Sequence, residues 1–293
     1  MSDSLLPDSG LTLGPQLLYA VVLLAAVAHA VWNALLKSVG DRLLMMAAIR
    51  AVGFAYGLAM LPFVELPRGL TWLWLAAAVA AHLLYFVLLI ESYRLGDMSV
   101  VYPVARGTAP LLLAAASFLS IGETLSIAQV AAVALTSLGL LVLVLGKGSG
   151  GAAIRVALAN SVAIALYSLA GGIGVRSAAS VLGFQVWLEL LLGACVLAWV
   201  PLARDRARIA GFVAAHARTG LLAGAVSVAG YLAFLLAARH LPLAPVAALR
   251  ETSLIFGTVI GAIAFREPFG GRRIAAAILV AGGVAALAVL GKS

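Results

Sequence analysis

Apolar residues run through this chain in blocks of about twenty, interrupted by short clusters of Gly, Pro, Arg, Asp and Glu. A block of that length fills a hydrocarbon slab of ~30 Å at ~1.5 Å of rise per helical residue. The interruptions predict helices over 16–38, 43–62, 70–94, 97–120, 125–146, 152–175, 180–201, 217–239, 242–264 and 270–290. Helices rather than strands are required, because unpaired backbone groups in lipid are costly and continuous runs lack the alternation of barrel strands. Connections are short. The longest polar one is 202–216, "LARDRARIAGFVAAH", and "GKGSGGA" at 146–152 reads as a flexible link.

Composition agrees with the pattern. Of 293 residues, 64% are hydrophobic and 10% charged, and the mean hydropathy is +1.14, more apolar surface than a soluble core could hide. The net charge of +8 lies mainly in the short connections, where Lys and Arg set membrane orientation, so it does not argue for nucleic acid. Connections after odd-numbered helices hold twelve Lys and Arg against four on the opposite side, which by charge alone puts both termini outside. Cys195 is the only cysteine, so neither an internal disulfide nor a cysteine metal cluster is expected. The opening residues carry Asp3 and Asp8 but no Lys or Arg. A cleavable signal has a basic start, so the chain is expected to be used whole.

A shift of 144 residues lays Arg106 on Arg250, Thr108 on Thr252, Glu123 on Glu267, Leu135 on Leu279 and Gly139 on Gly283. The expected organisation is a tail over 1–15, a five-helix unit over 16–146, a linker at 147–151 and a second unit over 152–290. Five is odd, so a helix and its counterpart cross the bilayer in opposite directions, the inverted symmetry of many transporters.

"GDMSVVYPVARGTAPLLLAAASFLSIGETLSIAQVAAVALTSLGLLVLVLG" and "LPLAPVAALRETSLIFGTVIGAIAFREPFGGRRIAAAILVAGGVAALAVLG" resemble the closing helix pairs of the two EamA-type repeats of the drug/metabolite transporter superfamily. "HAVWNALLK" at 29–37 resembles the His-Ala-x-Trp-Asn first helix of some members. The resemblance implies an all-α membrane protein of ten helices in two inverted repeats around a central cavity. It further implies an exporter of amino acids and related metabolites in the bacterial inner membrane, with YddG-like exporters as plausible neighbours. It also implies cytoplasmic termini, against the charge count.

Polar and aromatic positions inside the runs supply candidate chemistry. His29, Trp32, Asn33 and Leu36 follow i, i+3, i+4, i+7 on the first helix, a face fit to line a cavity or to bond another helix. His82, Tyr85, Phe86 and Tyr93 stripe the third helix, and Tyr102 stands one turn before Arg106 on the fourth. Tyr167 with Ser168, Trp187, and Tyr231 with Phe234 follow on the sixth to eighth. Apolar walls with a few oriented polar groups suit a pocket for planar or apolar side chains. The candidate substrate-binding residues are therefore His29, Trp32, Asn33, His82, Tyr85, Tyr102, Arg106, Tyr167, Trp187 and Tyr231.

Arg50, Arg106, Arg250, Glu189 and Glu251 lie inside spans, where each costs at least ~2.5 kcal/mol unless paired or hydrated. An interhelical partner is expected, Glu251 for Arg106 or Glu189 for Arg250. Pro103, Pro110, Arg250 and Glu251 are expected to be structural or gating residues. Arg106, flanked by Gly107 and Thr108, is expected to meet ligand, and Arg250 to sit in a fixed network.

No nucleotide-binding loop, Gly-x-Ser-x-Gly or His-Glu-x-x-His occurs, so an ATP-driven pump, a serine hydrolase and a zinc enzyme lack their parts. The expectation is a carrier, not an enzyme, with no metal or cofactor. Its partners are a small-molecule substrate and the bilayer, not nucleic acid, and a monomer is the expected state. The alternatives are an intramembrane enzyme and an assembly scaffold.

Overall fold

The computed structural model describes residues 14–37, 41–144, 150–256 and 271–290, with the backbone alone for a few of them, chiefly Ala28, His29 and 31–37. All regular structure among them is helical. In chain order come α1 (Pro15–Lys37), α2 (Arg42–Met60), α3 (Leu70–Leu95), α4 (Met98–Ile121), α5 (Ile127–Val142) and α6 (Gly151–Ser177). Then follow α7 (Val181–Ala203), α8 (Arg206–His240), α9 (Leu243–Glu251) and α10 (Gly271–Leu290). A turn at Thr252 separates α9 from a further helical stretch over 253–256. The rest of the span expected to reach 264, and most of the link at 147–151, lie outside the described residues.

Among the described residues six helices are long and apolar enough to cross a membrane: α2 extended to Phe63, α3, α4 from Ser99, α6, α7 and α8. The chain is a multi-pass helical membrane protein. Leu24 and Ile278, 70% and 66% exposed, point outward, as apolar side chains do where the surrounding solvent is lipid.

Local chemistry sets the ends. Asp41 caps α2 by accepting from Leu44 N–H at 3.3 Å, and Ser180 caps α7 by accepting from Gly183 N–H at 2.9 Å. Ser126 and Gln129 close a capping box at the start of α5. Gly122, at φ 65°, ends α4 in the left-handed conformation open to glycine. The stretch 206–216, expected as loop, is instead the first third of α8. Its Arg and Ala are strong helix formers, and Asp205 caps it by accepting from Arg208 N–H at 2.8 Å. Charge marked the stretch as polar without making it irregular.

Packing pairs α3 with α6, α1 with α8, α2 with α7 and α5 with α10, while α4 crosses α6 and α9. At the α5–α10 crossing two glycines let the backbones touch. A Cβ at Gly139 would fall 2.7 Å from Val280 and 3.0 Å from the Ala276 carbonyl. One at Gly283 would fall 2.8 Å from the Ala132 carbonyl and collide with the Thr136 hydroxyl. Neither position has room for a side chain.

Candidate functional site

Three buried guanidinium groups gather where α2, α4 and α9 approach one aromatic wall. Arg106, on α4 between the buried Pro103 and Pro110, is 4% exposed. Its Nη1 donates to both oxygens of Glu251 at 3.0 and 2.8 Å, and its Nη2 donates to the Tyr85 hydroxyl at 3.3 Å. Arg250, one residue before Glu251 on α9, reaches the same carboxylate: Nε and Nη2 donate to Oε1 at 3.3 and 3.1 Å. Arg250 Nη2 also donates to the Tyr167 hydroxyl at 3.1 Å and to Ser168 Oγ at 3.2 Å. One carboxylate thus serves two arginines.

Aromatic rings close around the guanidinium planes. Arg106 lies 5.2 Å from the Tyr102 ring and 5.9 Å from Tyr85. Arg250 lies 5.3 Å from Tyr167 and 4.5 Å from Phe234, within the range where a ring face attracts a cation. His82 stacks on Tyr167 at 4.2 Å and meets Tyr231 edge-on at 5.5 Å. Its Nδ1–H donates to the Ala78 carbonyl at 2.8 Å.

A second pair lies on the same wall. Arg50 of α2 donates to Glu189 of α7 at 2.9 Å and to Ser227 Oγ at 2.6 Å. Ser227, Tyr231 and Phe234 follow i, i+4, i+7 on α8, so one helix face runs from the Arg50 pair past His82 to Arg250.

Polar latches stand at the two ends of the bundle. At one, Asp41 bonds Arg204 and Arg208, each at 2.9 Å, joining the start of α2 to the start of α8. At the other, Arg176 donates to Glu123 at 2.9 Å and to the carbonyls of Ala238 and Leu241, both at 2.8 Å. Glu123 also accepts from Leu243 N–H at 2.8 Å.

Of the residues singled out in the sequence, His82, Tyr85, Tyr102, Arg106, Tyr167, Tyr231, Arg250 and Glu251 come together. Trp187 does not. Its indole donates to the Glu65 carbonyl at 3.2 Å and its ring meets Trp72 at 5.2 Å, towards the end of the bundle. His29, Trp32 and Asn33 lie on α1, with side chains outside the described set. The expected choice of partners resolves to Glu251 with Arg106, while Glu189 pairs with Arg50 rather than Arg250. Ser227 escaped notice, although its place on the Tyr231 and Phe234 stripe could have marked it.

No known family profile matches the chain, and no curated protein matches it in sequence. Among solved structures 28 chains match. One, a crystal structure of a protein, is 20% identical and superimposes with a TM-score of 0.74 over 95% of this chain and 97% of its own. That likeness is one of fold.

Proposed function

We propose that this protein is a secondary carrier that exports amino acids with apolar or aromatic side chains, and related small metabolites, by alternating access across a bacterial inner membrane. The observation that carries the reading is the Arg106–Glu251–Arg250 cluster. Two guanidinium groups share one carboxylate inside an apolar aromatic wall, a composition suited to a carboxylate with a planar or apolar group beside it.

The helix pairings support a membrane unit of ten helices in two inverted halves. Exchanging α1–α5 for α6–α10 turns α3 with α6 into α8 with α1, and returns α2 with α7, α5 with α10 and α4 with α9 to themselves. Gly139 meets Ala276 and Val280, and Gly283 meets Ala132 and Thr136. Those are the same contacts moved by 144 residues. Rocking one half against the other around a central site is how such architectures alternate access. The EamA-type resemblance belongs to the same reading.

Purified protein in liposomes tests it. Labelled L-phenylalanine should enter by a saturable exchange that leucine and tryptophan inhibit and nucleotide sugars do not. Transport of nucleotide sugars without amino acid competition would overturn the substrate. Conversion of the added compound would instead identify an enzyme, and neither transport nor product a scaffold.

A further inference from the structure

On the carrier reading, the cargo meets a site whose donors and acceptors are unequally used. Arg106 keeps one free edge: Nη1 is taken by Glu251, Nη2 has only the 3.3 Å contact to Tyr85, and the buried Nε has no hydrogen-bond partner. The Nε and Nη2 groups form the fork that grips a carboxylate in two parallel hydrogen bonds. An ammonium group needs acceptors, and among the described residues those that Arg106 reaches already accept from arginine. Glu251 Oε1 accepts from Arg106 and twice from Arg250, Oε2 accepts from Arg106, and the Tyr85, Tyr167 and Ser168 oxygens accept from the two arginines. A cation placed against Glu251 would also stand beside two like charges. Two guanidinium groups against one carboxylate leave one positive charge in excess among the described residues.

We propose that the site reads the carboxylate and the apolar group of its cargo but not the amino group, so that amine-free aryl and alkyl monocarboxylates are carried alongside amino acids. A monoanion cancels the excess charge of the cluster. A zwitterion brings a carboxylate to the fork together with an ammonium that must stand beside two guanidinium groups.

The test is competition against labelled L-phenylalanine on the purified full chain in detergent at neutral pH, using 3-phenylpropanoate, which lacks the ammonium, and phenethylamine, which lacks the carboxylate. The expected result is that 3-phenylpropanoate competes at least as well as unlabelled phenylalanine, while phenethylamine is weaker by about thirtyfold or more, roughly 2 kcal/mol. Arg106→Lys, which keeps the charge and loses the fork, should weaken both acids by about tenfold or more. If that variant fails to fold, the wild-type competition still decides. Phenylalanine binding with 3-phenylpropanoate more than about tenfold weaker would overturn the proposal and leave the amino acid carrier standing. Should phenylalanine not bind, labelled 3-phenylpropanoate is tested directly. Its binding supports the proposal and removes amino acids as cargo, and its failure to bind removes both readings.

Discussion

Arg50 and Arg106 both come from the first half of the chain, and both meet a carboxylate from the second. Arg50 has one partner to itself: Glu189 at 2.9 Å, with Ser227 taking the other nitrogen at 2.6 Å. Two glycines make room for it, since a Cβ at Gly53 would collide with the Glu189 carboxylate and one at Gly193 would fall 3.0 Å from the Arg50 carbonyl. Arg106 shares its carboxylate with Arg250, keeps an unpartnered Nε and faces aromatic rings. The first arrangement is neutral, one guanidinium to one carboxylate. The second is over-cationic and one acceptor short. A buried ion pair alone therefore says little about function, whereas an orphan donor beside surplus charge points to an anion from outside the chain.

The largest expected effect comes from breaking the neutral pair. Glu189→Ala strands Arg50 and should cost about 3 to 5 kcal/mol, seen as loss of folded protein by size exclusion and a lowered thermal midpoint in detergent. Replacing both partners, Arg50→Met with Glu189→Leu, should recover most of that loss. Glu189→Ala with an unchanged midpoint and abolished transport would move the functional site to this pair.

Removing one arginine at a time from the shared cluster should separate binding from folding. Arg106→Gln should weaken phenylalanine binding by about thirtyfold, roughly 2 kcal/mol. Its midpoint should fall less than that of Glu189→Ala, because Glu251 keeps Arg250. Arg250→Gln loses the bonds to Tyr167 and Ser168 and should cost about 1 to 3 kcal/mol of stability, with the smaller change in affinity. Titrations and melting curves on both variants check this, and a stable Arg250→Gln that alone loses affinity would reverse the two roles.

Tyr85→Phe removes only the hydroxyl that Arg106 reaches at 3.3 Å, so a change in affinity of about two- to threefold is expected, under ~1 kcal/mol. A tenfold loss would make that hydroxyl a direct cargo contact.

The smallest effect is expected at the surface latch. Burial works to raise the Asp41 carboxyl, but hydrogen bonds from Arg204 and Leu44 N–H, with the charges of Arg204 and Arg208, hold it below the ordinary carboxylate value. A depressed carboxylate contributes stability in full above its unfolded pKa, near ~3.9, and loses it as pH falls through the folded value. Asp41→Asn should therefore lower the midpoint near pH 7 by the equivalent of less than ~1 kcal/mol, and the gap from wild type should close as pH falls through the folded value. Melting curves across that range test the sign, and a gap that widened in acid would contradict it.

What the sequence reveals follows from how local each signal is. Apolar runs fix the position of α2, α3, α6 and α7 to within a few residues because length and solvent dictate them together. The aromatic stripe of His82 and Tyr85 is legible for the same reason, being a matter of one helix face. The partner of Arg50 is not legible, because Glu189 sits 139 residues away and nothing local to either residue distinguishes that pairing from Glu189 with Arg250. Trp187 stands apart because its place on one apolar run says nothing about which neighbour its ring turns towards. The start of α8 misleads, charged residues standing for irregular chain where Ala and Arg build a helix.

The length of α8 has a consequence. Its 35 residues extend about 52 Å at ~1.5 Å each, well beyond a hydrocarbon layer of ~30 Å. The overhanging turns carry Arg208, gripped by Asp41, and the same unbroken rod carries Ser227, Tyr231 and Phe234 on the wall of the arginine clusters. The grip on Arg208 and the wall at Ser227, Tyr231 and Phe234 therefore belong to one continuous helix, so the polar latch and the arginine clusters share one backbone element.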